Sequence, residues 1–484
     1  MSRRARALVD RLPAALLVLV AVGVALRIAL DLSYRPAVLT FADSIAYIAM
    51  ANETMFSDPA RTAGYSVFLD VVHTVSDSLT ATIQLQHLLG IATALVIYGA
   101  VRRLGAPLWA ALVGAGAVLL CLDQIYLEHA IASEGVFTFL LAASLYCAVR
   151  SLEDGDPLFK SLTTRELWLL GAGLLLGSAS WVRGAGAPLI PFLALWVLLA
   201  IPGRWYTRVA RAGIAAGPAL ALLLVYFALN SAATGTFGLL QSSGWGIYSR
   251  TAQFADCSKF TPPEGTEELC ETIPSDERPG PDFYSWSEDS PAQREFGGPP
   301  GSDEKLGEFG WSVVRAQPFE YVRTLANDFT RYFFPRLNAG RPFADAGYDV
   351  FRITTRNPVI EEDVRVNWVG GFFEPVDPVE VTGFAGTLED LQSLLRVHPL
   401  YLFQAVVLAC LGVVFARGRV RAGILLLGGA GVLLLAVAAT NTYNARYAIP
   451  INGPLLAAGA LGLWVLLERY RARRSAASSA NASA

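Results

Sequence analysis

The chain has 484 residues, 54% of them hydrophobic and only 16% charged, with a mean hydropathy of +0.43. That is too apolar for one water-soluble domain and places the chain among membrane proteins. The formal charge of −3 identifies no partner, because it sums two compartments of opposite bias, and an arginine-rich basic set with only Lys160, Lys259 and Lys305 as lysines reads as coding bias.

Ten apolar segments have the length and composition of spans of about 17–25 residues. They are Ala14–Leu30, Thr82–Val101, Pro107–Leu127, Gly135–Val149, Leu167–Val182, Ala187–Ile201, Ala212–Leu229, Pro399–Ala416, Gly423–Thr440 and Ile449–Leu467. The fourth, fifth and sixth are short, which fits little tilt or a cavity-lined surface. Arginines flank alternate ends: Arg3, Arg4, Arg6 and Arg11, then Arg102 with Arg103, Arg204 with Arg208 and Arg211, Arg417 with Arg419 and Arg421, and Arg471–Arg474. The positive-inside rule then puts both termini in the cytoplasm, as an even span count requires. The first segment lacks a small-residue cleavage site and is followed by Arg27 and Asp31, so it reads as a retained helix rather than a signal peptide.

The expected organisation is an N-terminal transmembrane module over residues 1–229, an extracytoplasmic loop domain over 230–398, a C-terminal transmembrane module over 399–474, and a disordered Ser/Ala/Asn tail over 475–484. The fold class is an all-α polytopic membrane protein with a large mixed outer loop. The first outer loop, 31–79, holds Asp43 in Leu39-Thr-Phe-Ala-Asp-Ser-Ile-Ala-Tyr47. A carboxylate at a membrane surface is costly unless it is wet, paired or used. The second outer loop is long enough for a small domain. Pro262-Pro263, Arg278-Pro-Gly-Pro281 and Gly297-Gly-Pro-Pro-Gly301 make its early part loop-like. A helix then reads from Lys305 to Phe334, interrupted near Pro318, with Phe319, Val322, Leu325, Phe329, Tyr332 and Phe333 at three- and four-residue spacing. That face is expected to pack on the domain, since the opposite face carries Glu320, Asn327 and Asp328 and is not basic.

Cys257 and Cys270 share the outer loop, an oxidising compartment where a local disulfide would staple a Pro-rich segment. Cys121, Cys147 and Cys410 lie in or beside spans and read as packing residues. No CxxC pair or His-Cys cluster has metal spacing, and there is no Walker loop, dinucleotide glycine fingerprint or G-x-S-x-G elbow.

Several short motifs follow one another: Ala42-Asp43-Ser-x-x-Tyr47, Arg61-x-x-Gly64-Tyr65, Gln84-x-Gln86-His87, Tyr126-x-Glu128-His129-x-x-x-Ser133-Glu134, Trp181-x-Arg183 and Asn444-x-Arg446-Tyr447-x-x-Pro450. In this order the chain resembles the GT-C superfamily of integral-membrane glycosyltransferases, in particular the branch using polyprenyl-phosphate sugars, related to protein mannosyltransferases and the lipid A aminoarabinose transferase. The resemblance covers the first 200 residues and the last span pair, and places nothing in the large loop. It departs from the family pattern where Asp43 is followed by Ser44 and Arg61 by Thr62, instead of a second acidic residue and a proline. Without an acidic pair at Asp43 a divalent ion has too few hard oxygen ligands. Metal-independent chemistry with no cofactor is therefore expected, with Glu128 and Glu134 as the carboxylates that qualify it.

The resemblance implies an inverting transfer of a monosaccharide, mannose or arabinose, from a polyprenyl-phosphate donor to an acceptor hydroxyl on the outer face of the cytoplasmic membrane. The acceptor is a glycan, lipid or protein, and no nucleic acid is involved. Asp43 is implied as the general base. Arg61, Arg183 and Arg446 are the candidates to grip the donor phosphate, with snorkelling to headgroups the alternative for the last two. Tyr47, Tyr65, Glu128, His129, Glu134 and Tyr447 are candidate substrate contacts, with a hydrogen-bonded structural cluster the alternative for Glu128, His129 and Glu134 and interface or packing roles the alternative for Tyr65 and Tyr447. Donor binding is expected to be indifferent to Asp43, because a phosphate repels a carboxylate. Two rivals use the same residues: a non-enzymatic flippase for lipid-linked sugars, and an inactive scaffold on the same fold.

Overall fold

The computed structural model describes residues 13–35, 41–153, 164–335, 352–355, 369–375, 380–381 and 383–482. Arg3, Arg4, Arg6 and Arg11 lie outside them. The regular elements of the described chain are helices apart from one two-residue antiparallel pair, in which Tyr34 is opposite Val381 and Arg35 opposite Glu380.

The first apolar helix is α1 (Ala14–Ser33), followed by α2 (Phe41–Asn52) and α3 (Gly64–His73). Next come α4 (Leu79–Arg103), α5 (Leu108–Leu119), α6 (Leu122–Glu128), α7 (Glu134–Arg150), α8 (Thr164–Val182), α9 (Leu189–Ala200) and α10 (Trp205–Thr234). Gly235, at φ 81°, ends α10 in the left-handed conformation that glycine adopts without a Cβ penalty. All ten apolar segments read from the sequence coincide with helix. Among the described residues, five helices are long and apolar enough to cross a membrane, or six if a bent pair counts as one span.

That bent pair corrects one expectation. The segment Pro107–Leu127 is not one continuous helix but α5 and α6, which meet at 51°. The whole of α6 is buried, Asp123 and Glu128 included. The bend turns them inward, where Arg396 Nε donates to Asp123 at 2.6 Å and Arg27 Nε donates to Glu128 at 2.8 Å.

The loop domain begins with α11 (Ser243–Ala252), α12 (Pro281–Trp286), α13 (Pro291–Phe296), α14 (Asp303–Ala316) and α15 (Pro318–Arg331). Pro262-Pro263 and Gly297-Gly-Pro-Pro-Gly301 are loop and turn, as expected, while Arg278-Pro-Gly-Pro281 leads directly into a helix. Pro281 and Pro291 are first helical residues, where a missing N–H costs nothing and φ is already set. The domain has its own core of Trp245, Tyr248, Leu269, Tyr284, Leu306, Phe309 and Val313. Cys257 and Cys270 form the expected disulfide beside it, with Cα atoms 5.9 Å apart. The apolar face of α15 only partly meets expectation. Tyr332 and Phe333 just beyond it are buried, but Phe319 and Val322 are 85% and 61% exposed. The first half of the helix packs Tyr321 against the domain core and leaves Phe319 and Val322 outside it, while Phe329 in its second half packs against the main hydrophobic core of the bundle.

The chain returns through α16 (Ala385–Gln392) to α17 (Pro399–Phe415), α18 (Gly418–Asn441) and α19 (Asn452–Ala482). A 3-10 segment, Ala445–Ile451, joins the last two. The tail over 475–484, expected to be disordered, is helical as far as Ala482. Alanine-rich sequence continues an established helix with little entropic cost, even fully exposed.

Candidate active site

Local sequence sets the position of each candidate group. Asp43 lies in the first turn of α2, where unpaired backbone N–H groups favour a negative charge. Gly64, in the Arg61-x-x-Gly64-Tyr65 motif, lies so close to the end of α8 that a Cβ there would come within 2.3 Å of the Trp181 carbonyl carbon. Thr62 donates its hydroxyl to the Val182 carbonyl at 2.9 Å. These two contacts pin the Arg61 loop against the residues just before Arg183. The 3-10 segment brings Arg446 in from the far end of the chain, with Asn444 accepting from the Arg446 backbone N–H at 3.1 Å.

The result is a charged cluster at one end of the bundle. Arg61 donates from Nε to Asp43 Oδ1 at 2.7 Å, with a second contact from Nη2 to the same oxygen. Its Nη1 donates to Asp58 at 2.9 Å. Arg446 Nη1 is 2.6 Å from the other oxygen of Asp43. Arg183 donates to Glu134 and, at 3.2 Å, to the hydroxyl of Ser133, which also accepts from the Tyr47 hydroxyl at 3.1 Å. The Arg183 and Arg446 guanidinium carbons stand 5.1 and 5.5 Å from the centroid of the Tyr447 ring. Burial alone would raise the Asp43 carboxyl, but Arg446 and Arg61 more than offset it and hold it at about 2. Tyr47 moves the other way. Its burial, together with the charges of Asp43 and Glu134 and against the opposing effect of Arg183, pushes the phenol up to about 12.

A cavity of about 890 Å³ opens above this cluster. Asp43, Tyr47, Arg61, Arg183, Arg446 and Tyr447 line its floor. Leu434, Val437 and Ala438 of α18 form an apolar side wall, and α11, α12 and α14 of the loop domain form the roof. Buried Glu134 holds Arg183 and lies 3.6 Å from Arg446 Nε without itself lining the cavity.

Three other candidates lie away from this cavity. Tyr65 is buried and donates to Gln86 at 2.7 Å. Glu128 is buried and held by Arg27 at 2.8 and 2.9 Å, by His87 at 3.2 Å and by Gln124 at 3.0 Å. His129 faces His87 at 3.2 Å and the Tyr34 carbonyl at 2.8 Å. None of the three lines the cavity. They form a second polar network at the α5–α6 bend, where Gly90 makes room for the Glu128 carboxylate: a Cβ there would come within 2.0 Å of it. Charge neutralisation inside the bundle drives this arrangement. Arg27, four turns into an apolar helix, needs a buried anion, and Glu128 supplies it.

The roof adds residues that sequence reasoning missed. Asp282, Ser285 and Trp286 of α12 and Trp311 of α14 all face the cavity. Enclosure raises the Asp282 carboxyl, Arg446 and Arg250 oppose the rise and Asp43 adds to it. The signal available in the sequence was the Pro281-Asp282 pair, a helix start whose next turn places Ser285 and Trp286 beside Asp282. Among the described residues no group of three His, Cys, Asp or Glu side chains converges as metal ligands.

No family model and no curated protein matches the chain. In solved structures it is similar to the Archaeoglobus fulgidus oligosaccharyltransferase in its apo form, at 14% identity over 95% of this chain and 51% of that chain, with a TM-score of 0.47. It is similar to AglB from the same organism in complex with an inhibitory peptide and a dolichol-phosphate, at 13% identity, 95% and 51% coverage and a TM-score of 0.42. It is also similar to ArnT from Cupriavidus metallidurans bound to undecaprenyl phosphate, at 16% identity, 93% and 77% coverage and a TM-score of 0.37. The chain spans about half the length of the archaeal enzyme. These neighbours are GT-C glycosyltransferases.

Proposed function

We propose that this chain is an inverting membrane glycosyltransferase. It moves a monosaccharide, mannose or arabinose, from a polyprenyl-phosphate donor to an acceptor hydroxyl on the outer face of the cytoplasmic membrane. The observation that carries the reading is the placement of Asp43 between Arg61 and Arg446 on the floor of a large cavity with an apolar side wall.

Each requirement of the reaction has a group beside it. The donor phosphate needs cations, and Arg61, Arg183 and Arg446 supply planar forks. Arg446 Nε makes no hydrogen bond among the described residues and stands 3.6 Å from Glu134. The prenyl chain needs an apolar surface, which Leu434, Val437 and Ala438 provide. The acceptor needs a base. Its oxygen forms a bond to the anomeric carbon, the carbon–oxygen bond to phosphate breaks with its electron pair leaving on the phosphate, and the acceptor proton passes to Asp43.

In the resting site Asp43 is a weak base, because two guanidinium groups hold it ionised. An arriving phosphate competes for those same guanidinium groups. As they turn to the phosphate, the carboxylate loses its clamp and its basicity rises toward the ordinary carboxylate value. Donor binding thus switches on the base that its own chemistry uses.

The deciding experiment is transfer of radiolabelled sugar by the purified chain from a panel of polyprenyl-phosphate mannose and arabinose donors, with Asp43→Asn as the paired control. Transfer by the parent and its loss in a folded variant supports the reading. A folded Asp43→Asn chain that transfers like the parent sinks it.

A further inference from the structure

The roof of the cavity carries groups that donor binding leaves without a task. α12 is under two turns long, and its two faces differ. Tyr284 is buried in the loop-domain core, while Asp282, Ser285 and Trp286, three and four residues apart, share the cavity face. On α14 the residues Leu306, Phe309 and Val313 fill the same core and Trp311 stands on the other side, also lining the cavity. Trp286 is 52% exposed and Trp311 51%. Both indoles forgo the burial that a core one helix-width away offers, which large aromatic surfaces rarely do without a partner. Neither the Asp282 carboxylate nor the Ser285 hydroxyl makes a hydrogen bond or an ion pair among the described residues.

Chemistry narrows what fits there. A phosphate is repelled by Asp282, and the cations that suit it are on the floor. A prenyl chain gains nothing from a carboxylate and a hydroxyl, and has an apolar wall of its own along α18. Indole faces beside an unpaired carboxylate and a hydroxyl suit a ligand with both faces of its own: C–H surfaces to lie on the rings and several O–H donors for the carboxylate. Hydroxyl-to-carboxylate bonds are charge-assisted and short, so one acidic residue orients such a ligand strongly. Pockets of this kind set orientation with few polar groups against aromatic walls. A carbohydrate has that build.

We infer that the roof is a binding subsite for a carbohydrate acceptor, with Trp286 and Trp311 as stacking faces and Asp282 accepting from acceptor hydroxyls. Calling its ligand the acceptor rests on the transfer reading above; the binding of carbohydrate does not. The subsite faces Asp43 across the cavity, so a chain end held on the roof presents its terminal hydroxyl toward the base on the floor. It also narrows the acceptor from glycan, lipid or protein to a glycan.

The test uses the purified full chain in detergent and saturation-transfer NMR with three probes: linear mannotetraose, linear arabinotetraose and a short Ser/Thr-rich peptide. Binding of undecaprenyl phosphate is measured in parallel. At least one tetrasaccharide should bind the parent. Its affinity should fall about tenfold or more in Trp286→Ala and in Trp311→Ala, fall less in Trp286→Phe, and drop clearly in Asp282→Asn. Undecaprenyl phosphate binding should be unchanged in all four variants, which also shows that they are folded. The inference is overturned if neither tetrasaccharide binds the parent, or if binding survives both tryptophan replacements. It is equally overturned if the peptide is the probe that binds through Trp286, or if those replacements weaken undecaprenyl phosphate, since the roof would then hold a protein acceptor or the prenyl chain. Failure of the parent to bind undecaprenyl phosphate removes the transfer reading and leaves the tetrasaccharide result to decide the subsite alone.

Discussion

Arg446 reaches Asp43 across almost the whole chain, with Nη1 2.6 Å from Oδ2, while Arg61 holds the other oxygen. The carboxylate proposed as base and the guanidinium groups proposed for the phosphate are therefore bound to one another before any substrate arrives. On the transfer reading proposed above, Asp43 and a donor phosphate would draw on the same guanidinium groups, so donor binding is predicted to depend on Asp43 where the sequence led to the expectation of indifference.

The first prediction separates binding from turnover. Asp43→Asn removes the competing charge, so undecaprenyl phosphate should bind about tenfold tighter. Turnover should fall about 10²–10⁴-fold, the usual contribution of a positioned base. Isothermal titration and a single-turnover assay on the same preparation measure both. Weaker binding in the variant would show that Asp43 supports the arginines rather than blocking them.

The second prediction concerns pH. The Asp43 pKa is depressed to about 2 in the free chain, so its contribution to stability is fully present above the unfolded value. That contribution is lost as pH falls from about 4 toward 2 and amounts to roughly 2 kcal/mol. Melting of the parent minus that of Asp43→Asn should be constant from about pH 5 upward and shrink only below about pH 4. Activity should divide in a related way. The acid limb of kcat/KM, which reports the free chain, should lie at lower pH than the acid limb of kcat, which reports the donor complex with the clamp released. Coincident limbs would mean that the arginines stay on Asp43 throughout.

The third prediction concerns Arg183 and Glu134. Glu134 is buried, and Arg183 is its close partner. Arg183→Gln leaves that carboxylate short of charge compensation and should cost about 3 kcal/mol in stability. Arg183→Gln combined with Glu134→Gln should recover much of that loss while leaving transfer low. A double-mutant cycle on thermal unfolding and activity measures the coupling. Additive effects on stability would show the pair to be incidental.

The fourth prediction concerns the loop domain. The Cys257–Cys270 disulfide closes a short loop beside the domain core. Chain entropy assigns it about 3 kcal/mol. Cys257→Ser with Cys270→Ser should make the segment between α11 and α12 sensitive to limited proteolysis, leaving the membrane bundle intact. A proteolysis pattern identical to that of the parent would contradict this.

The fifth prediction concerns the α5–α6 bend. Glu128→Gln removes the anion that Arg27 and His87 share inside the bundle. It should lower folded yield and melting temperature, and whatever folds should bind undecaprenyl phosphate like the parent. Near-normal stability with weakened binding would restore Glu128 as a substrate contact.

Sequence alone determined the class of this protein and the identity of its charged floor. Apolar runs marked every membrane-length helix, because hydropathy over one segment is a local property that needs no partner. Asp43, Arg61, Arg183 and Arg446 stood out among many flanking charges because they lie in the short motifs that carry the family resemblance. The disulfide was legible because its two cysteines are close in sequence. What tertiary structure decided is which of those charges meet. Arg27 with Glu128 and Arg183 with Glu134 are buried pairs between distant segments, and nothing local in the sequence says whether a carboxylate faces a cavity or neutralises a helix. No proline or glycine stands at the break before α6, so nothing local in the sequence marks it. The roof was invisible for a related reason. Asp282, Trp286 and Trp311 acquire a role only when the loop domain folds its own core and turns their opposite faces over Asp43.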